Sequence, residues 1–310
     1  MQAEHYNGLI AVWKEQGYTS HDVVAKLRGI LHQKKIGHTG TLDPQAQGVL
    51  AVGLGLGTKT FDLLPDHWKT YEAEVTFGVQ TDTEDIWGNI LKTHDVSKTP
   101  EEIIQAICSF VGTYDQIPPM YSAKKIDGKK LYQLAREGKI VERKAVPVTL
   151  KDIQVLSVKD NKARFIVTCS AGTYIRTLCV DIGKKLGCEA CMSSLTRVMA
   201  GGFSKEQALT LEKIKELADK NELESRLISI DTALGHFPKV IASDEKQLKN
   251  GNAISINAVL GLQEASIDVC SHDICVRLYL NNNGLDEFIG VYHLDKSSRL
   301  LKPVKIFYRN

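Results

Sequence analysis

At 310 residues, 43% hydrophobic and 25% charged, the chain has the composition of a folded globular protein and the length of two domains rather than one. No apolar run approaches the roughly 18 residues that a membrane span needs, and the opening MQAEHYNGLIAVWKEQG lacks the basic and apolar regions of a secretory signal. A cytoplasmic protein with no membrane partner is expected. The net charge of +2 says little by itself about nucleic acid, and its distribution says more.

In chain order, residues 7–13 (NGLIAVW) read as a strand, followed by a turn at Gly17–Ser20. Thr19 or Ser20 caps a helix over 21–31, where Val23, Val24, Leu27 and Ile30 fall at helical spacing. A glycine-rich loop from Gly37 to Gly48 leads into the apolar run VLAVGLGLG, and Tyr71–Gly78 alternates as a strand does. TDTEDIWGN is a polar loop, and Thr99 before Pro100, Glu101 and Glu102 opens a helix. Residues 116–147 read as an insertion. Strands follow at 149–157 and 163–169, then a helix from Ile175 to Leu186 that Gly187 stops, and a further helical stretch at 210–219. From about Phe237, short β-like pieces (AISINAVLGL, ICVRLYL, FIGVYHL, KPVKIFY) alternate with the turn clusters NGN and NNNG, the spacing of a small β-barrel.

The seven cysteines are an odd number spread along a chain without a signal peptide, which argues against a disulfide framework. Cys188 and Cys191 form a C-x-x-C, but Cys270 and Cys275 do not supply a second pair at zinc-ligand spacing, so free thiols and no metal are expected. Between Lys124 and Lys144, eight basic residues, among them Lys124, Lys125, Lys129 and Lys130, face three acidic ones. That local excess exceeds the net charge of the whole chain. Such a patch neutralises phosphates, although a solvated surface helix has the same composition.

Three segments carry the chemistry. Gly37-His38-Thr39-Gly40-Thr41-Leu42-Asp43-Pro44-Gln45-Ala46-Gln47-Gly48 presents a histidine and one carboxylate on a stiffened loop, where Pro44 pushes Asp43 towards an extended conformation. Gly, Asp and Pro also favour ordinary turns. The glycines of 53–57 match neither dinucleotide nor P-loop patterns. Lys69-Thr70-Tyr71 opens a strand. Cys169-Ser170-Ala171-Gly172-Thr173-Tyr174-Ile175-Arg176 hands a strand over to a helix, and a cation in a helix's first turn opposes the macrodipole, so Arg176 either has a compensating carboxylate or phosphate elsewhere or is simply exposed to solvent.

GHTGTLDPQAQGVL closely resembles the catalytic motif of the tRNA pseudouridine(55) synthases, the TruB family. KTY (69–71), QIPPMYSAKKIDGKKLYQLAREG, CSAGTYIRTLCVDIGKKLGC and SSLTRVMAGGF (193–203) are similar to that family in the same order, from about residue 7 to 203. The last 75 or so residues look like its PUA-type RNA-binding domain, with Leu248-Lys249-Asn250-Gly251 as a local match. The family usually reads DKPxGxTS near the N-terminus. Here Trp13-Lys14-Glu15-Gln16-Gly17-Tyr18-Thr19-Ser20 lacks the acid and the proline.

The resemblance implies an α+β fold: a mixed, mostly antiparallel catalytic sheet with flanking helices over 1–233, carrying the basic insertion, and a PUA-like barrel over 234–310. It implies that Asp43 is the catalytic nucleophile, that Tyr71 stacks on the target base and takes part in proton transfer, and that Arg176 is the partner of Asp43. Tyr174 and Leu195 would line the base pocket, and His38 would keep the RNA loop open around the extruded uridine. The substrate would be the T loop of tRNA at position 55, reached by base flipping. Isomerisation breaks the C1′–N1 bond and remakes it at C5 without net redox change, so no cofactor is expected. A carboxylate can assist by adding to C6 of the ring or by acting at C1′ of the ribose, and both routes stay open. A guide-RNA-dependent relative usually carries long basic tails, which are absent here, so a stand-alone monomer without guide RNA is expected. The intact Asp43, Tyr71 and Arg176 favour catalysis over a purely RNA-folding role, and an added role in tRNA folding is compatible with it.

Overall fold

A computed structural model describes residues 6–64, 68–122, 124–126, 128–242, 248, 251–260, 274–282 and 284–307. β1 (Gly8–Lys14) is buried along almost its whole length, because both faces are covered. Ile10 and Val12 pack with Val23, Val24 and Leu27, whereas Leu9 and Ala11 pack with Val49, Ala51 and Phe203. α1 (Ser20–Ile30) starts at a reciprocal cap: the Asp22 amide donates to Thr19 Oγ1 at 3.1 Å and the Thr19 amide to Asp22 Oδ2 at 2.8 Å. β2 (Ile36–Thr39) and β3 (Gln47–Leu54) pair antiparallel, His38 opposite Val52. The expected glycine-rich loop is therefore shorter, since Gly37 to Thr39 is drawn into the ladder by the free edge of β3. Only residues 40–46 are left to turn.

β4 (Lys69–Phe77) follows, then the hairpin β5 (Val79–Thr81) and β6 (Ile90–Thr93), α2 (Pro100–Cys108) and β7 (Gly112–Gln116). A two-stranded ribbon, β8 (Lys125–Ile126) with β9 (Lys129–Lys130), leads into α3 (Leu131–Arg136). β10 (Val146–Lys159) and β11 (Lys162–Cys169) form a long hairpin, and α4 (Ile175–Leu186), β12 (Ala190–Ala200), β13 (Phe203–Ser204), α5 (Leu211–Asp219) and α6 (Ile230–Ala233) complete this part. The main sheet runs β1-β3-β12-β4-β11-β10-β7 and is antiparallel apart from β3 beside β12. That parallel seam needs Gly48: its φ is +123°, and a Cβ there would lie 2.2 Å from the Arg197 carbonyl oxygen. The largest core, with Leu42, Tyr71, Phe165, Leu178 and Leu195, packs α2 and α4 onto one face of the sheet. Because β7 meets β10 at Gln116 opposite Val146, the basic segment leaves and re-enters at one point of the sheet edge.

A second sheet comprises β14 (Lys239–Ala242), β15 (Ile254–Ser255), β16 (Val259–Leu260), β17 (Cys275–Asn282), β18 (Leu285–Asp295) and β19 (Leu300–Ile306), in the order β15-β19-β18-β17-β14-β16. It curls into a nearly closed, PUA-like barrel around Val240, Leu278, Ile289 and Leu301. The Lys249-Asn250 part of the local match and Cys270 lie outside the described residues. The barrel seats on the main body through Ile230, Leu234, Val291 and Phe307. Arg277 pairs with Asp231 at 2.7 Å and Lys305 with Asp62 at 3.0 Å. The α+β class and mixed, mostly antiparallel sheet are those expected. Among the described residues no helix is long and apolar enough to cross a membrane.

Candidate active site

The 40–46 turn is held from beneath by side chains remote in sequence. Leu42 and Ala46 anchor it in the main core, and the Leu42 amide donates to Ser20 Oγ at 2.9 Å. The Gly17 amide donates to the Pro44 carbonyl at 2.8 Å. The ammonium of Lys14, a wholly buried residue, donates to the carbonyls of Tyr18 at 2.5 Å, Glu15 at 3.0 Å and Pro44 at 3.1 Å. Burial pulls the Lys14 pKa down to about 8, with Asp43 acting the other way. Thus the segment that lacks the family's acid and proline still grips the loop, through Lys14, Gly17 and Ser20. From the other side Arg197, 0% exposed, donates to Val49 O at 2.7 Å, Gly40 O at 3.1 Å and Thr41 O at 3.4 Å.

Held this way, Asp43 meets Arg176 of α4 in a fork: Nε to Oδ2 at 2.8 Å and Nη2 to Oδ1 at 3.3 Å. Two further Arg176 donors go to the carbonyls of Thr83 at 2.7 Å and Tyr121 at 2.8 Å. The Arg176 side chain is 5% exposed and that of Asp43 39%, so the guanidinium is locked while one side of the carboxylate stays open to solvent. Asp85 lies 3.9 Å from Arg176 Nη1, and burial raises its pKa against the pull of Arg176. The TDTEDIWGN loop is thereby part of the site, with the neighbouring Glu84 in the left-handed region at φ +66° and its carboxylate accepting from Thr177 Oγ1 at 2.6 Å.

Tyr71 and Leu195 belong to the same buried cluster as Leu42, and the β4–β12 register puts Tyr71 opposite Arg197 and Leu195 opposite Ala73. Burial raises the Tyr71 pKa, with Arg197 opposing, and this favours a protonated phenol. Tyr174 is half-buried at the start of α4, and its backbone is clamped by fully buried Gln116, which accepts from the Tyr174 amide at 2.8 Å and donates to its carbonyl at 3.1 Å. His38 sits edge-on to His21 at 5.7 Å. Burial, then His21 and Arg197 nearby, lowers its pKa to about 4, and its buried Nδ1 has no partner among the described residues.

The basic segment adjoins this centre through the Tyr121 carbonyl, which accepts from Arg176. Lys129 is exposed, Lys124 and Lys130 are half-buried, and the Lys125 side chain lies outside the described atoms. Lys130 and Arg136 both approach the Tyr132 ring, at 5.6 and 5.5 Å. Sequence reasoning missed Lys14, Asp85, Gln116 and Arg197. For Lys14 and Arg197 one signal was available, a cation that is the only charged residue of its strand and must find its partners inside the protein.

Residues 28–175 match the TruB family pseudouridylate synthase (N terminal domain), and residues 176–235 the tRNA pseudouridylate synthase B C-terminal domain. The tRNA pseudouridine synthase B of Alkaliphilus oremlandii (strain OhILAs) is 43% identical over 307 residues, covering 97% of this chain and 99% of that protein. That of Staphylococcus aureus (strain Newman) is 46% identical over 315 residues, with the same coverage of each. Among solved structures, a chain in the crystal structure of a Cbf5-Nop10-Gar1 complex is 25% identical with a TM-score of 0.70, covering 97% of this chain and 85% of that one. With relatives this similar along nearly its full length, the chain belongs to the TruB family of pseudouridylate synthases.

Proposed function

We infer that this protein isomerises uridine to pseudouridine in tRNA, at position 55 of the T loop, with Asp43 as the catalytic carboxylate. The observation that carries the reading is the Asp43–Arg176 fork: a carboxylate held by a buried guanidinium yet open on one side, next to Tyr71 and Leu195. A base stacked in an RNA loop must first be extruded, at a cost of a few kcal/mol. Packing on the Tyr71 ring recovers roughly 1–3 kcal/mol. Leu195 and Tyr174 line the pocket, and His38 helps keep the RNA loop open around the extruded base. Asp43 then assists cleavage of C1′–N1, at C6 or at C1′. After the ring has turned, C5 bonds to C1′ and Asp43 is released from whichever carbon it had attacked. The proton on C5 then leaves while N1, freed from C1′, gains one, and the Tyr71 phenol, whose protonated form burial favours, gives up its own hydrogen as it takes up the one from C5.

The ribbon and α3 contact phosphates through Lys124, Lys125, Lys129 and Lys130. The catalytic domain ends near residue 233, after α6, and the barrel adds RNA contacts from 234 onwards. The protein acts as a cytoplasmic monomer without a guide RNA. Incubating the purified protein alone with an unmodified tRNA transcript, then mapping pseudouridine, tests the reading. The wild type is expected to convert position 55, and Asp43→Asn to abolish conversion while tRNA affinity stays within about tenfold, because catalysis and uniform binding separate. A silent wild type, or substantial turnover by Asp43→Asn, overturns it, and conversion that requires an added RNA overturns the stand-alone part.

A further inference from the structure

Lys69, the first residue of the KTY segment, has no part in the chemistry described so far. It opens β4 two residues before Tyr71, so both side chains leave the same face of the strand about 7 Å apart. Its ammonium lies against the catalytic turn: a Cβ on Gly40 would stand 2.7 Å from Lys69 Nζ and 3.6 Å from Arg197 Nη1. Gly40, at φ +80°, is thus the residue that lets two cations come up beneath the loop three positions before Asp43.

The other buried cations of the site are satisfied. Arg176 has a carboxylate and two carbonyls, Arg197 three carbonyls and Lys14 three carbonyls. Among the described residues nothing accepts a hydrogen bond from the Lys69 ammonium and no carboxylate pairs with it. A largely desolvated ammonium beside a guanidinium is unfavourable unless an anion arrives from outside. We propose that the Lys69 ammonium, between Gly40 and Arg197, is the subsite for the RNA phosphodiester that adjoins the flipped uridine.

The spacing suits that ligand, because the separation of Lys69 from Tyr71 along the strand is of the order of the reach from a nucleobase to its own phosphate. Burial, then Arg197, lowers the Lys69 pKa, and a phosphodiester next to it would restore the charged form. The subsite both draws the backbone in and sets how far the extruded nucleotide enters above Asp43.

This inference rests on the RNA-modifying reading above. The test uses the full-length protein, a T-stem-loop RNA, and a set of the same RNAs with one phosphate at a time near the target replaced by an uncharged methylphosphonate. Leaving one phosphate without its cation is worth about five- to eightfold in affinity at roughly 0.1 M salt and lowers the salt slope by about one. Lys69→Met is expected to show that loss, with a melting temperature equal to or above that of the wild type. One methylphosphonate next to the target should cost the wild type the same factor and cost Lys69→Met nothing further. Unchanged affinity, losses that add independently at every linkage, or a Lys69→Met protein that fails to fold would each overturn the proposal. So would a wild-type scan in which no linkage beside the target matters. Failure here leaves wild-type conversion of the plain transcript intact, whereas failure of the functional reading abolishes it.

Discussion

The turn that carries Asp43 and the basic segment of 124–144, which holds the ribbon and α3, both rely on positive charge, in opposite ways. Around the turn, Lys14, Arg176 and Arg197 are buried and most of their donors are spent on backbone carbonyls, while the Arg176 fork goes to Asp43. Neutral carbonyls leave the charge in place while fixing its position, so these cations act as struts. On the basic segment, Lys129 is exposed, Lys139 pairs with Glu137 at 2.7 Å on the surface, and Lys130 and Arg136 rest on an aromatic face. Those charges are screened by salt and free to meet a polyanion. Substitutions at the turn should therefore move turnover, and substitutions on the ribbon should move affinity.

The largest effect short of removing Asp43 is expected from Arg176→Lys. An ammonium cannot reproduce the fork, and it leaves the Thr83 and Tyr121 carbonyls short of donors. Single-turnover rate at saturating tRNA should fall by about 10²–10³-fold, with a lower melting temperature. Near-wild-type turnover would mean that the fork is not what orients Asp43.

Next is Tyr71→Phe, which keeps the ring and removes the hydroxyl. A rate loss of at least about a hundredfold with nearly unchanged affinity is expected, the lower end for a positioned acid or base. Tyr71→Leu should match that loss and add a binding defect. A fast, correctly folded Phe variant would reduce Tyr71 to a stacking platform.

A smaller and different effect belongs to the ribbon. Neutralising Lys124, Lys125, Lys129 and Lys130 together should lower the salt slope of tRNA binding by about one for each phosphate that no longer has a lysine against it, and affinity with it. The saturated rate should stay where it was. If the rate falls as well, the ribbon shapes the site through Tyr121 and the contrast drawn above fails.

The mildest prediction concerns His38, a half-buried residue whose buried Nδ1, unlike the Lys14 ammonium, meets no carbonyl among the described residues that would support a charge. Its folded pKa of about 4 lies below the ordinary 6.5, so the unfolded chain takes up the proton first. The stability it contributes is present above pH 6.5 and is lost as pH falls towards about 4. The melting temperature of His38→Asn should decline less than that of the wild type across this interval. Parallel declines would show that the imidazole titrates freely.

The catalytic turn could be read from the chain because its chemistry is local: glycines, a proline and one acid within twelve residues prescribe a constrained loop that presents a carboxylate. Strands β1, β4, β10 and β11 and helices α1, α2, α4 and α5 were legible for the same reason, since capping residues and apolar spacing act over a turn or two of chain, whereas the central strand β12 was not read. Even so, the glycine loop was drawn too long, because Gly37–Thr39 carries no strand signal of its own and pairs only where β3 offers an edge.

The sequence alone placed a single carboxylate in the glycine-rich loop, marked several of the strands and helices, and located where the basic charge accumulates. It could show that Arg176 sits against the helix dipole, with an anion or plain solvent both open, but the tertiary fold decided that Asp43, 133 residues away, would be close enough to meet it. Folding also chose the carbonyls that Lys14 and Arg197 would support, drew the TDTEDIWGN loop into the site, and left the Lys69 ammonium with no acceptor among the described residues. A buried cation is satisfied by whatever oxygen lies within about 3 Å, and contacts of that range between distant segments are set by sheet register and packing, which no local pattern encodes.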